Sequence, residues 1–234
     1  MNIDMLADVL FWTGATLIVY AISVKICQLS KILGLFHPIV FSVAALYALL
    51  RFTETPVEQY IQGTKGLSWL LLPATIALAV PFYNQLSLLK QLGAKVVIPV
   101  LVGGVIAPLI CIGIFYAFAM DNSIMASVLT KSITTPLAIE TTSIIGGQPS
   151  VAAIMVIITG LFGVMVCGLV FTVLNIKNDV FKGLALGTAA HALGTAHAAN
   201  LSDKATGFAT LALCINGIVT SIFLTVGYWI TTGL

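Results

Sequence analysis

The sequence predicts an all-α, polytopic membrane protein with about eight transmembrane segments, and three observations carry that prediction. Of the 234 residues, 59% are hydrophobic and only 8% are charged, against about 25% charged in an average soluble domain. Mean hydropathy is +1.11. The apolar residues form continuous runs, as at 151–174 and 205–230, whereas membrane β-strands alternate apolar and polar positions over about 10 residues. So few charges cannot cover a water-facing surface, but they suit a lipid-facing one. At roughly 20 residues per crossing, the length holds one membrane domain, 1–234, with half-repeats at 1–120 and 121–234 and no separate soluble domain.

Taken in order, the first apolar segment covers residues 6–26 and ends at Lys25 and Lys31. The second, 33–50, opens with His37-Pro38 and closes at Arg51. Residues 51–65, with Glu54, Pro56 and Glu58, read as an exposed loop. The third segment, 66–85, contains Pro73 and Pro81, and the fourth, 96–120, contains Pro99, Gly103, Gly104 and Pro108. Residues 123–147 are long enough to enter a membrane yet carry Lys131, Ser132, Thr134, Thr135, Pro136, Glu140, Thr141 and Thr142. An ordinary span follows at 151–174. The small-residue segment 183–201 holds His191 and His197, and 205–230 closes the chain.

Charge sets the orientation, because short cytoplasmic loops are enriched in Lys and Arg. With the N-terminus outside and 123–147 re-entrant, Lys25, Lys31, Lys90, Lys95, Lys177 and Lys182 all fall inside. The C-terminus then also falls inside. The net charge of +2 and the lack of a basic run exclude nucleic acid as a partner. Cys27, Cys111, Cys167 and Cys214 are scattered without CxxC spacing and read as small apolar filler. No cofactor or metal site is expected, and no nucleotide-binding, serine-hydrolase or zinc-protease motif occurs. The chain reads as a non-enzyme.

Pro73, Pro81 and Pro136 are candidate helix breaks, since proline removes a backbone donor and leaves carbonyls unpaired. In lipid such a break survives only where protein or a water-filled cavity satisfies it, and paired breaks point to a transporter site near the midplane. Close helix packing is the plainer alternative. Lys131 and Glu140 are ionisable groups inside a membrane segment, costing about 2.5–3.5 kcal/mol each at a helix centre. Lys131 with Ser132, Thr134 and Thr135 at a half-helix N-terminus would suit an anion; alternatively, Lys131 snorkels to the interface.

A second constellation repeats Gly-Thr-Ala at residues 187 and 194. Two helical turns separate the copies, so Gly187, His191 and Gly194 are expected on one face and Thr188 and Thr195 on another. Small faces allow close helix approach. His191 could carry a proton or bind a carboxylate, or simply bond a neighbouring helix. Asn216 in the last segment is either polar glue or part of the same cavity. Together, Lys131, Ser132, Thr134, Thr135, Glu140, Thr188, His191, Thr195 and Asn216 form the candidate substrate site.

These strings resemble the LrgB/CidB family: Lys131-Ser-Ile-Thr-Thr-Pro-Leu-Ala-Ile-Glu140, Gly146-Gly-Gln-Pro-Ser150, Ile158-Thr-Gly160, the run from Gly183 to Ala196, Gly207-Phe-Ala-Thr-Leu-Ala212, Asn216-Gly-Ile218 and Pro73 to Pro81. The likeness covers essentially the whole chain. It implies a bacterial inner-membrane protein working beside a small holin-like LrgA/CidA partner. Family members are described as antiholin-like or holin-like modulators of murein hydrolase activity and autolysis. Some relatives resemble carriers of small carboxylates, pyruvate in bacteria and glycolate and glycerate in plastids. Position 197, often basic in relatives, is His197 here, which makes an anion contact there dependent on pH. Two functions are therefore expected: a secondary transporter of small monocarboxylates, preferred because it accounts for buried polar groups, or a regulator of holin-like pores with no substrate.

Overall fold

The computed structural model describes residues 3–29, 38–70, 73, 76–77, 79–84 and 86–232. Among these the chain is helix and turn, with no strand. Twelve helices are described: α1 (Ile3–Leu29), α2 (Pro38–Phe52), α3 (Val57–Gly63), α4 (Lys65–Trp69), α5 (Ala79–Asn84), α6 (Leu86–Leu92), α7 (Ala94–Ala117), α8 (Asn122–Leu129), α9 (Thr135–Ile144), α10 (Pro149–Val173), α11 (Asp179–Ala198) and α12 (Asp203–Thr232). They fall into two compact units, Met1–Ile76 and Ala77–Leu234. That division follows packing and has no bearing on a repeat boundary near residue 120.

In the first unit, α1 is organised around Trp12, the buried aromatic of its inner face. The Trp12 indole meets the Tyr60 ring edge-on with centroids 5.6 Å apart. Gly63 lies so close that an added Cβ would sit 2.9 Å from the indole. Thr13 donates to the Gly63 carbonyl at 3.1 Å, and the Thr16 and Tyr60 hydroxyls are 3.1 Å apart. Residues 51–65 are therefore not the simple loop expected. After a turn through Glu54 at φ 52° the chain re-enters helix as α3, because Tyr60 and Gly63 have α1 to pack on.

The second unit is built on three long helices, α7, α10 and α12, with two shorter helical hairpins between them. Helix α7 passes through Pro99 and Pro108 without interruption. The segment 123–147 folds as a hairpin. Asp121 caps α8, its carboxylate accepting from Ser123 N at 2.8 Å and Ile124 N at 3.3 Å. Helix α9 ends in a Schellman arrangement: Gly146 takes φ 76° and the Gly147 amide donates to the Thr142 carbonyl at 2.9 Å. The two arms are tied by Thr130 to Thr142 (2.9 Å) and by the Gln148 amide to the Ser127 hydroxyl (2.7 Å). Both ends of the hairpin therefore return to the same end of the unit, and the tip is residues 130–134.

Helix α11 corrects a sequence expectation. It is not straight: His191 has φ 41° and ψ −127°, and the chain reverses there. Gly194 packs on the carbonyl of Leu186, and Ser202 donates to the Asp179 carboxylate at 2.7 Å. On a straight helix, residues 23 positions apart could not meet. Gly187, His191 and Gly194 thus do not share one helical face. The break occurs without proline; small residues on both arms allow the halves, residues 179–190 and 192–198, to fold against each other.

Apolar clusters fix where each hairpin sits. Val96 and Val100, from the start of α7, pack with Leu184 of α11 and with Phe208, Leu211 and Ala212 from the start of α12. At the other end, Cys111 of α7 and Leu224 of α12 pack with Ala126, Leu129 and Ile145 of the first hairpin. The hairpins enter from opposite ends, and their tips meet halfway along α7 and α12.

Four described helices are long and apolar enough to cross a membrane: residues 6–29, 94–117, 149–173 and 203–232. The count is up to five if α2 and α3, bent by 118°, make one span. About eight were expected. Residues 123–147 and 183–201 each turn back halfway, α2 by itself has 15 residues, and residues 66–85 are described only in part. The break at Pro136 is present, immediately after the first tip. Pro81 is helical, but residue 78, on which its place relative to the helix start depends, lies outside the described residues. Pro73 is helical and exposed, but residues 71–72 and 74–75, on which its role as a break depends, lie outside the described residues, as do residues 30–37 at the start of the second expected segment.

Glycines hold the second hairpin against α12. An added Cβ at Gly187 would collide with the backbone of Ala209, whereas Gly168 has open space. Gly187→Ala is expected to cost about 1–3 kcal/mol. Gly168→Ala should leave stability unchanged or raise it by up to about 1 kcal/mol. Denaturant unfolding of the detergent-solubilised protein, followed by circular dichroism, checks both.

Candidate functional site

The two hairpin tips meet at Asn216, midway along α12 and 1% exposed. Its Nδ2 donates to the Ser132 carbonyl at 2.8 Å, in the tip of the first hairpin, and to the Thr188 carbonyl at 3.1 Å, just before the break in the second. The Thr220 hydroxyl lies 3.2 Å from Asn216 Oδ1 and 3.4 Å from the Gly104 carbonyl of α7. Gly104 makes this possible, since a Cβ there would overlap the Asn216 carboxamide. One side chain thereby joins two broken elements to two continuous ones.

His191 anchors the second tip. Its Nε2 lies 2.9 Å from the carbonyl of Val156 on α10. A carbonyl can only accept, so Nε2 carries the proton of that bond. The ring fits over Gly160, where an added Cβ would lie 2.7 Å from the imidazole Cε1. Thr195 donates to the His191 carbonyl four residues earlier at 2.9 Å. The backbone of His191 nearly matches that of Gly93, at φ 45° and ψ −122°, which joins α6 to α7. Gly93 adopts this conformation freely; His191 does so against the Cβ clash that normally reserves it for glycine. Non-glycine residues held this way cluster at functional sites.

The first tip holds two hydroxyls of a different kind. Ser132 Oγ and Thr134 Oγ1 are buried and have no hydrogen-bond partner among the described residues. The residues are 4% and 5% exposed. Thr134 is the N-cap of α9 but its side chain makes no capping bond, and Pro136 occupies the first turn. The amide donors and positive dipole end of α9 therefore face the tip without a side-chain partner. Thr135 and Lys131 are half-buried.

Of the residues expected from sequence, Ser132 and Thr188 meet at Asn216 through their carbonyls; Thr134 lies in the same tip as Ser132, His191 and Thr195 lie in the second hairpin, and Lys131 and Thr135 adjoin Ser132 and Thr134 in the chain. Glu140 does not join them: it is exposed on α9. Among the described residues the ion pair is Lys182 with Asp179, 3.6 Å apart; Lys131 and Glu140 form none. Thr220, Gly104 and the Val156 carbonyl were missed. Gly103-Gly104 in mid-segment was the available signal for close approach. A backbone carbonyl has no sequence signature. A cavity of about 320 Å³, lined by Pro99, Gly103, Phe181, Leu184, Ala185, Thr188 and Ala189, opens beside the second hairpin and reaches the junction at Thr188.

The sequence profile of the LrgB-like family matches residues 16–230, a span that includes both hairpins. The chain is 30% identical over 214 residues to the antiholin-like protein LrgB of Bacillus cereus strain B4264, covering 92% of this chain and 93% of that protein. The same figures hold for the antiholin-like protein LrgB of Bacillus anthracis strain CDC 684 / NRRL 3495. No solved structure matches.

The strain at His191 has a measurable signature. In a regular helix glycine is about 1 kcal/mol less favourable than alanine. At residue 191 the order should invert: both substitutions lose the bond to Val156, but only glycine relieves the backbone. His191→Gly is expected to be more stable than His191→Ala by about 1 kcal/mol, read from denaturant unfolding in detergent. The ordinary order would mean that the helix runs straight through this position.

Proposed function

The chain belongs to the LrgB-like family, and from that premise we propose that it is a multi-pass protein of the bacterial inner membrane that carries small monocarboxylates of the pyruvate or glycolate type. The observation that carries this reading is the junction at Asn216, where two broken elements entering from opposite ends meet amid buried polar groups. Non-helical backbone at membrane depth is tolerated where it lines a site or is held by protein. Paired discontinuous elements at an inverted-repeat interface are how many secondary transporters build theirs. The repeat is read here as residues 94–148 and 149–202, each a long helix followed by a hairpin, running in opposite senses. Counting the two hairpins, about eight segments lie in the membrane. No chemical step is assigned; the protein is a carrier and not an enzyme.

Charge orients the second unit. Lys90, Lys95, Lys177, Lys182 and Lys204 lie towards the end where the second hairpin enters, whereas the opposite end has Asp121. By the positive-inside rule the lysine end faces the cytoplasm. The second hairpin then opens inward and the first outward. Because α11 turns back, α12 crosses outward and its C-terminus emerges outside, a change from the inside placement expected when residues 183–201 were taken as a full crossing. The N-terminus is kept outside on the charge count. A small LrgA-type membrane protein is the proposed partner.

The second reading is an antiholin-like modulator of murein hydrolase activity that moves no substrate. The antiholin-like name of the two Bacillus relatives supports it directly. The geometry of the junction supports the carrier. Uptake by proteoliposomes separates the two. The carrier reading expects saturable entry of labelled pyruvate, lactate or glycolate driven by a proton or sodium gradient. It expects a loss of about tenfold or more on Asn216→Leu, which unpairs two buried carbonyls. If liposomes holding the chain and an LrgA-type partner together take up none of the three, the modulator reading stands.

A further inference from the structure

We infer that the first hairpin tip is a binding site for a compact monoanion, held by the hydroxyls of Ser132 and Thr134 and the free first-turn amides of α9, while Asn216, Thr220 and His191 position the tips without touching the ligand. This assigns roles within the site of the carrier reading and rests on it. The division follows from hydrogen-bond saturation. Both Nδ2 hydrogens of Asn216 are committed to the Ser132 and Thr188 carbonyls, and the Thr220 hydroxyl faces its Oδ1. The Nε2 proton of His191 is committed to Val156. None of these donors is available to a ligand without breaking the fold.

Ser132 Oγ and Thr134 Oγ1 are the opposite case. Buried hydroxyls are normally paired, and these two are not, although the Thr134 carbonyl beside them is used by Ala138 at 2.8 Å. Both flank the start of a ten-residue helix whose N-cap side chain makes no capping bond. Hydroxyls can donate, amides can only donate, and the helix end carries a partial positive charge. An acceptor-only, negatively charged head satisfies all of them at once. One lysine in the tip and a helix end worth about half a charge give about one and a half positive charges, which neutralise a monoanion fully and leave a dianion with net negative charge. A carboxylate therefore fits; sulfate and phosphate dianions do not. The hydroxyl oxygens have no exposed surface here, so the Ser132 and Thr134 side chains have to turn to admit the ligand, with the Ser132 carbonyl still held by Asn216.

Thermal-shift and calorimetric titrations of the purified full-length protein in detergent test this, with pyruvate and acetate as monoanion probes and sulfate as the dianion. The wild type should bind pyruvate saturably and sulfate at least about tenfold more weakly. Ser132→Ala and Thr134→Val should each weaken pyruvate binding about tenfold or more, the scale of one lost bond to a charged group. Thr134→Ser should restore it, and Ser143→Ala, an exposed hydroxyl on the same helix, should change nothing. The inference is overturned if no monoanion binds, if sulfate binds as tightly, or if both hydroxyl variants keep wild-type affinity. Uptake that survives both substitutions removes this site but leaves the carrier. Saturable binding that depends on the two hydroxyls, without any uptake, removes the carrier but leaves the site.

Discussion

A single buried carboxamide holds the second unit in its present form. Broken helices leave backbone carbonyls that water cannot reach in a lipid-surrounded interior, and each orphan costs about 1–3 kcal/mol. Asn216 meets this cost at two places with one nitrogen, taking the Ser132 carbonyl from one hairpin and the Thr188 carbonyl from the other. An aliphatic residue of similar size would fill the space and satisfy neither. Because the bonds run to backbone atoms, they fix the tips relative to α12 whatever their side chains do. The Ser132 and Thr134 hydroxyls are thus left free for something else.

The rest of the unit is arranged so that this contact can form. Gly104 admits the carboxamide from α7, and Gly160 admits the imidazole of His191 from α10. Gly183 and Gly187 bring the second hairpin onto the backbone of α12 near Ala205 and Ala209. With no hydrophobic driving force between helices in lipid, such close packing is a principal source of association. The strain at His191 is sustained by the same means: the turn is disfavoured locally but is fixed by the Val156 bond and by the two arms around it.

Much of the fold was legible in the sequence, because lipid imposes length and apolarity on a crossing. Residues 96–120, 151–174 and 205–230 became α7, α10 and α12 with small shifts at their ends. The hairpin at 123–147 was legible too, since Lys131, the hydroxyl run and Pro136 are unwelcome in a continuous span. The second hairpin was not. Residues 183–201 contain no proline, and their alanines and glycines are as compatible with a straight packed helix as with a folded pair. Only tertiary packing selects the fold. Of the site, Asn216 and His191 were visible as polar residues in apolar surroundings, but their partners are carbonyls, which every residue has. Glu140 was singled out for its charge, yet its exposed position separates it from the junction.

The tips of the two oppositely directed hairpins lie side by side at Asn216. Disulfide trapping in membranes measures this directly, using cysteines at residues 132 and 188 in a background freed of the native ones. Rapid, high-yield oxidation of that pair is expected, since both carbonyls share one nitrogen, while a pair at 132 and 202 should stay reduced. Efficient bridging of 132 to 202, with 132 and 188 unreacted, would place the second hairpin the other way round and remove the junction.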